Sequence, residues 1–184
     1  MNSQKAAELL ARLNATTVRF DVGQGGIPEL VALDVAAACS GLDDVGYYMV
    51  RAKYCGDDAF RGQAMRELAM IMDDKQARGL KRPSDFVELQ RLAEYIVSSN
   101  ITDSICRKCK GVGFIAAKKC PSCNGAGKRV DSLTFMAKSC GYNRNTFQSR
   151  GYVDYVNYWV SELAVIEDRA LRHIADQLTD RMAA

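Results

Sequence analysis

Four of the seven cysteines occur as two pairs whose spacing suits metal binding. Cys106 and Cys109 form one C-x-x-C pair, Cys120 and Cys123 form a second, and ten residues separate the pairs. Each pair places two thiolates on one tight turn, and two such turns complete a Cys₄ shell around a tetrahedral Zn²⁺ ion. Catalytic zinc sites keep an open position and usually include His or a carboxylate, whereas the only histidine, His173, lies 50 positions beyond Cys123. We therefore predict one structural zinc ion.

Both pairs continue alike, as C-x-x-C-x-G-x-G over residues 106–113 and 120–127. Glycine permits a positive φ and lets backbone amides approach the thiolate sulfurs closely, which a metal-binding turn of this kind needs. The alternatives are a redox-active dithiol pair and two disulfides, of which a reducing compartment disfavours the second. Cys39 and Cys55 lie in apolar helical surroundings and are expected to be small buried side chains.

Basic side chains are concentrated in one part of the chain. Residues 104–150 contain ten Lys and Arg against a single acid, a local charge of +9, while the remainder carries 15 basic and 21 acidic groups, or −6. A basic block inside an otherwise acidic chain indicates a polyanionic partner. The alternative is a solvated basic surface without a partner.

The segment after the second cysteine pair has the pattern of a helix-turn-helix. Ser132 can cap a first helix, Gly141 ends it, and Asn143 can cap a second helix that carries Phe147. The small residue Ala137, four positions before the turn glycine, allows the two helices to cross closely. The alternative is a plain helical hairpin with no role in DNA binding.

The second helix of this motif is predicted to expose side chains suited to base edges. Arg matches the O6 and N7 atoms of guanine, and Asn or Gln matches N6 and N7 of adenine in the major groove. Neighbouring basic residues are better placed for phosphate contacts, and Tyr152 is also expected to be exposed. The predicted DNA-binding residues are Asn143, Arg144, Asn145, Gln148, Ser149, Arg150, Lys138, Lys128 and Arg129.

The elements that position these residues are predicted to be mainly helical. Apolar spacing and capping residues predict helices over residues 3–14, 28–40, 43–55 and 57–79, and another beginning near Pro83–Asp85. A long C-terminal helix follows residue 151. Short strands at residues 112–115 and 128–130 are expected to flank the metal turns.

These elements predict a helical bundle that is interrupted by a small Cys₄ zinc-binding β/loop insert and followed by a helix-turn-helix and a long C-terminal helix. The expected divisions are an N-terminal helix and loop (1–27), a helical bundle (28–103), the zinc segment (104–130), and the helix-turn-helix with a C-terminal helix packing on the bundle (131–184).

Several functional classes are disfavoured by what the sequence lacks. No apolar run approaches the roughly 18 to 20 residues that a membrane span needs, and the amphipathic N-terminus lacks the apolar core of a secretory signal. We therefore expect a cytoplasmic protein with no membrane partner. There is no Ser/His/Asp grouping, paired-carboxylate site or cofactor fingerprint, so neither an enzyme nor a small-molecule substrate is expected.

The order of these features resembles that of the late-gene antitermination proteins Q of lambdoid bacteriophages. Those proteins have a helical N-terminal region, paired C-x-x-C-x-G-x-G turns that bind zinc, and a C-terminal helical DNA-binding segment. The resemblance covers about residues 45–178. It implies that the four paired cysteines are zinc ligands, and that Arg144, Asn145 and Gln148 lie in the DNA-facing region.

The resemblance also implies a function and partners. Family members bind double-stranded DNA within a phage late promoter and engage host RNA polymerase holoenzyme paused just downstream, contacting sigma factor and core enzyme. They then travel with the polymerase and make it insensitive to terminators. The expected place of action is the bacterial host cytoplasm, at the nucleoid.

Two other classes of protein remain as alternatives. A conventional zinc-containing helix-turn-helix regulator would bind DNA without travelling with polymerase. A zinc chaperone-type module is a further alternative, because cysteine-rich regions of J-domain cochaperones repeat C-x-x-C-x-G-x-G. Those regions use more than two copies, however, and this sequence contains no His-Pro-Asp triplet.

Overall fold

A computed structural model describes residues 37–75, 79–81, 83–102, 106, 108–110, 112–125 and 131–183, together with residues 4, 7 and 10. The fold is mainly helical, with a cysteine cluster in a loop region between helices. The elements within these residues are α1 (Asp44–Tyr54), α2 (Ala59–Asp74), α3 (Phe86–Ile101), β1 (Phe114–Ile115), β2 (Lys118–Lys119), α4 (Leu133–Ser139), α5 (Arg144–Ser149) and α6 (Tyr152–Ala183). The predicted fold class is confirmed.

Short polar side chains start the helices where the sequence predicts them. The Asp43 carboxylate accepts a hydrogen bond from the Gly46 amide at 2.6 Å, and Asp85 accepts one from the Glu88 amide at 2.8 Å. Such caps satisfy amides that have no partner within the first turn of a helix. Ser132 caps α4 in the same way.

One predicted helix end differs from the structure. Helix α2 ends at Asp74 rather than near Gly79, and the carboxylates of its last turn oppose the negative end of the helix dipole. Of the two predicted strands, the one at residues 112–115 contains β1, which pairs with β2 at Lys118–Lys119, a strand that was not predicted. The predicted strand at residues 128–130 lies outside the described residues and stays a prediction.

Most of the first two predicted helices also lies outside the described residues. Within residues 3–14, positions 4, 7 and 10 are helical, and within residues 28–40, positions 37 and 38 are helical. The predicted division at residue 27 therefore stays a prediction, as do the divisions at residues 103 and 130.

By compactness the chain divides into two units. One comprises Met1–Leu68 and Ser161–Ala184, and the other comprises Ala69–Val160. Helices α2 and α6 contribute residues to both units.

The first unit has a core of small and aliphatic side chains. The core residues are Leu10, Ala38, Cys39, Val50, Ala170, Leu171, Ile174, Ala175 and Leu178. Beside them, the buried Glu167 accepts hydrogen bonds from Lys53 Nζ at 2.7 Å and from the Tyr54 hydroxyl. A buried carboxylate needs such partners, because burial alone would strongly disfavour its charge.

The two cysteines of the first unit, Cys39 and Cys55, and its histidine, His173, are buried or half-buried. Cys39 is buried and Cys55 is half-buried, in broad agreement with the prediction. His173 on α6 is half-buried, and its Nε2 lies 2.9 Å from the carbonyl oxygen of Ser40. Its ring lies beside Gly41, which ends the preceding turn with φ +87°.

No helix in the described ranges combines the length and the apolar character that crossing a membrane requires.

Candidate metal centre and helix-turn-helix surface

The structure brings the two predicted cysteine pairs together. The Sγ atoms of Cys106, Cys109, Cys120 and Cys123 all lie within 4.8 Å of one another. Sγ of Cys106 lies 3.8 Å from that of Cys120, and Sγ of Cys109 lies 3.7 Å from that of Cys123. All four side chains are at most 6% exposed. The four cysteines form a buried group that can hold a metal ion.

The same distances argue against disulfides. All seven cysteines are free, and the sulfur separations within the cluster are far above the roughly 2.05 Å of a disulfide bond. Among the described residues, no histidine or carboxylate belongs to the group. A metal ion held here by all four thiolates has no open position for a substrate.

The repeated sequence pattern corresponds to a repeated backbone conformation. Lys110 and Asn124 directly follow the second cysteine of their pairs, and both have φ 50°. Three residues after Lys110, Gly113 has φ 82°, and its amide donates a hydrogen bond to Cys109 Sγ at 3.2 Å. The predicted approach of a glycine amide to a cysteine sulfur is confirmed. The left-handed residue directly after each pair is a feature that the sequence analysis missed.

Backbone amides also favour the ionised form of one ligand. The pKa of the Cys106 thiol is lowered to about 6, chiefly because the backbone N–H of Cys109 points at its sulfur, while burial acts in the opposite direction. Hydrogen bonds to the charged form of a group lower the pKa of an acid in this way.

A two-stranded hairpin joins the two cysteine turns. Strands β1 and β2 pair antiparallel, with Phe114 opposite Lys119 and Ile115 opposite Lys118. The turn between them consists of Ala116 and Ala117, with φ 46° and 64°. Both φ values are positive, as a two-residue hairpin turn of type I′ requires.

Helices α4 and α5 form the predicted helix-turn-helix. Gly141 has φ 77° and its amide donates to the Lys138 carbonyl, while the Tyr142 amide donates to the Ala137 carbonyl at 2.8 Å. This pair of bonds is a Schellman motif, which ends a helix and turns the chain. The Asn143 side chain then caps α5 by accepting from the Thr146 amide at 2.8 Å.

An apolar core lies beneath the turn. Ala137 and Phe147 are fully buried, and the rings of Tyr142, Phe147 and Tyr152 pack with centroids 5.4 to 6.1 Å apart. The prediction that Tyr152 is exposed is wrong, since the residue is 2% exposed. Its ring completes this aromatic group, which removes it from solvent.

The other predicted DNA-binding residues within the described ranges face solvent. Exposed side chains are those of Asn143, Arg144, Asn145, Gln148, Ser149, Arg150 and Lys138. Two of them also bond locally: Asn143 caps α5, and Ser149 Oγ donates to the Thr146 carbonyl at 3.2 Å. Lys128 and Arg129 lie outside the described residues, so their predicted phosphate contacts stay predictions.

Arg150 has an intramolecular partner that the sequence analysis missed. Its side chain is 44% exposed, yet its guanidinium forms an ion pair with Glu88 on α3. The Tyr152 hydroxyl donates to the other oxygen of Glu88 at 2.7 Å, and the Ser84 amide donates to that oxygen at 2.9 Å. Glu88 thus ties the end of the helix-turn-helix to the start of α3. No local signal could have revealed this contact, because 62 positions separate Arg150 and Glu88.

These bonds determine the charge of Glu88. Burial acts to raise the pKa of its carboxyl, but hydrogen bonds from Tyr152 and Ser84, together with the positive charge of Arg150, lower the pKa to about 2. Glu88 therefore remains ionised throughout the neutral range.

Comparison with known proteins gives one family match. The family model "Conserved hypothetical protein CHP02642" matches residues 75–183, which include the cysteine cluster, the helix-turn-helix and all of α6. No curated protein and no solved structure matches the chain. Because the matched residues make up more than half of the 184, the chain belongs to the family described as conserved hypothetical protein CHP02642.

Proposed function

We propose that this protein is a DNA-binding transcription antitermination factor whose Cys₄ cluster holds a structural zinc ion. The observation that carries the proposal is the polar, solvent-facing side of α5. This helix lies in the basic region of the chain, and a buried aromatic core holds its other side. The proposal includes no catalytic activity and no small-molecule substrate.

The sulfur geometry supports zinc as the metal. A tetrahedral ion with Zn–S bonds of about 2.3 Å places its sulfur ligands about 3.8 Å apart. Two of the sulfur pairs in the cluster lie at 3.7 and 3.8 Å. Thiolates also select Zn²⁺ over hard cations, which prefer oxygen. The ion joins two short cysteine turns and supplies folding free energy that so small a segment cannot obtain from a core.

The surface of α5 supports contact with base edges. Arg144, Asn145 and Gln148 are exposed, while Phe147 on the same helix is fully buried. One face of α5 is therefore held by the protein and the other carries the groups that recognise guanine and adenine in the major groove. Lys138 on α4, also exposed, is available for phosphate contact.

The charge distribution supports an anionic partner for this part of the chain. Residues 104–150 carry a net charge of +9, whereas the rest carries −6. DNA binding by a basic region releases counterions, so the affinity falls steeply as salt is added. The acidic remainder is available for a protein partner.

The resemblance to the antitermination proteins Q carries the more specific part of the proposal. The order of the cysteine pairs, the helix-turn-helix and the long C-terminal helix is common to both. On this basis the DNA site belongs to a phage late promoter, and the protein partner is bacterial RNA polymerase holoenzyme, contacted through sigma factor and core. The proposed place of action is the cytoplasm of the bacterial host.

DNA reading by α5 is tested by selecting duplexes from a random pool with the wild-type protein and comparing variants on the selected site. Arg144→Ala should weaken specific binding by about 1 to 3 kcal/mol. Arg66→Ala removes an arginine of α2 that is also exposed and should leave the affinity unchanged. Equal affinities for all three proteins, or no selected sequence, would reject the assignment.

Antitermination is tested by transcription in vitro from a template with the selected site near the promoter and a strong terminator downstream. Read-through with wild-type protein, but not on a template lacking the site, is the expected result. DNA binding without read-through would favour a conventional helix-turn-helix regulator instead.

A further inference from the structure

We propose that the β1–β2 ribbon is a second DNA-contacting element, which enters a groove of the duplex in addition to the contacts of α5. The inference rests on the proposed DNA binding and extends it to Phe114, Ile115, Lys118 and Lys119. None of these residues is in the set predicted from the sequence to bind DNA.

The ribbon is exposed along its whole length. All six residues from 114 to 119 face solvent, including Phe114 at 49% and Ile115 at 43% exposure. At its base, the Cys120 amide donates to the Gly113 carbonyl at 2.8 Å, and the buried cysteine cluster follows on both sides. A fixed base with an exposed tip is the arrangement of an element that inserts into a partner.

Both faces of the ribbon carry the same chemistry. Residues directly opposite each other in an antiparallel pair lie on the same face, and successive residues lie on opposite faces. Phe114 and Lys119 therefore share one face, and Ile115 and Lys118 share the other. Each face presents an apolar side chain beside a lysine.

A groove of duplex DNA matches this two-faced arrangement. Phosphates line both walls of a groove, and the major groove admits a two-stranded ribbon and displays thymine methyl groups to apolar side chains. Residues 104–130 contain seven Lys and Arg and no acid, so no carboxylate in this segment opposes contact with either wall. A flat protein surface would engage only one face and leave the other lysine and apolar side chain in water.

The salt dependence of DNA binding measures the phosphate contacts directly. The slope of log K against log salt concentration is about −0.9 per phosphate neutralised. The double variant Lys118→Gln/Lys119→Gln should therefore make the slope less steep by about 1.8 on the selected duplex. Ile115→Ser should weaken binding several-fold without changing the slope, because it removes no charge.

The matched control is Lys75→Gln/Lys81→Gln, which removes two exposed lysines of the same compact unit from outside the basic region. Its slope should equal that of the wild-type protein. Metal content of every variant shows whether the cysteine cluster is intact, so that a misfolded hairpin is recognised.

The outcomes separate this inference from the proposed function. If the wild-type protein binds and Arg144→Ala weakens binding, but the ribbon variant keeps the wild-type slope, then only the ribbon assignment is overturned. Loss of read-through with an unchanged slope would also overturn it and place the ribbon against the polymerase. Absence of any duplex binding by the wild-type protein would overturn both.

Discussion

The candidate metal centre consists of four thiol groups, and among the described residues no other type of ligand belongs to it. Each sulfur lies within 4.8 Å of the other three and is shielded from solvent. Backbone amides at Cys109 and Gly113 direct hydrogen bonds at two of the sulfurs. Such bonds orient metal ligands and adjust their basicity, so Gly113, which follows the first pair, matters as well as the cysteines.

Replacing one of the four cysteines should weaken metal binding by about two orders of magnitude. A structural zinc site contributes about 10 to 16 kcal/mol in total, so Cys106→Ser should cost about 3 kcal/mol of binding free energy, on the order of 100-fold in affinity. The measurement is metal content by elemental analysis after dialysis. Cys55→Ser, outside the cluster, is the control and should keep one metal ion per chain. Full metal content in Cys106→Ser would contradict the assignment.

The ion pair of Glu88 predicts a specific dependence of stability on pH. Its pKa in the folded protein, about 2, lies below the ordinary 4.5, so its contribution is fully present above about pH 4.5 and is lost as the pH falls through about 2. Glu88→Gln should lower the free energy of unfolding by about 1 to 3 kcal/mol at neutral pH. Urea denaturation at a series of pH values measures the difference from wild type.

That difference should shrink between about pH 4.5 and 2, because the wild-type carboxylate becomes protonated there. Glu94→Gln, an exposed substitution on the same helix, should show a small effect with no such trend. A difference that stays constant down to pH 2 would disprove the role of the Glu88 charge.

At the scale of elements, short-range hydrogen bonds determine where the helices of the helix-turn-helix begin and end. Ser132 and Asn143 cap the two helices, and the Schellman motif at Gly141 separates them. Helix α3 holds the motif at two further points. One is Glu88, and the other is the Tyr95 hydroxyl, which donates to Asp131 at 3.0 Å.

Two glycine substitutions should have effects of opposite sign. Gly141→Ala should destabilise the protein by about 1 to 2 kcal/mol, because a side chain at φ 77° is strained. Its Cβ would lie 3.7 Å from the Arg91 side chain, an ordinary contact, so the cost is conformational. Gly62→Ala, inside α2 with no atom within 4 Å of the new Cβ, should stabilise it by about 0.5 to 1 kcal/mol. Denaturation midpoints measure both, and shifts in the same direction would contradict the expectation.

At the scale of the whole molecule, metal dependence should be confined to one part of the chain. All four ligands lie in the unit Ala69–Val160. The core described for the other unit contains none of these four cysteines. Metal binding supplies folding free energy only where the ligands are.

Removal of the metal by a chelator should therefore raise amide hydrogen exchange over residues 106–125 and leave the amides of α1 protected. Mass spectrometry of peptides from the exchanged protein measures both regions, and restoring zinc should restore protection. Equal loss of protection in α1 would show that the metal stabilises the whole molecule. Unchanged exchange in residues 106–125 would show that it stabilises neither region.

Features that one characteristic side chain determines within a few residues could be predicted from the sequence. The spacing of Cys106 and Cys109 predicts a metal turn, and Ser132, Gly141 and Asn143 predict a cap, a turn and a second cap. The end of α2 was predicted wrongly, and β2 was not predicted. No glycine directly follows α2 to mark its end, and the turn before β2 is formed by two alanines, which are not typical turn residues.

What the sequence by itself determined is the group of four cysteines that can hold a metal ion, the helical class of the fold and the helix-turn-helix, because capping, turn formation and the C-x-x-C spacing are local. Only the tertiary structure decided that Glu88 binds Arg150, that Tyr152 is buried, and that Lys53 reaches Glu167 across 114 positions. Such pairs form only after distant helices have packed. A charge that becomes buried is stable only when packing brings an opposite charge or a hydrogen-bond donor or acceptor close to it.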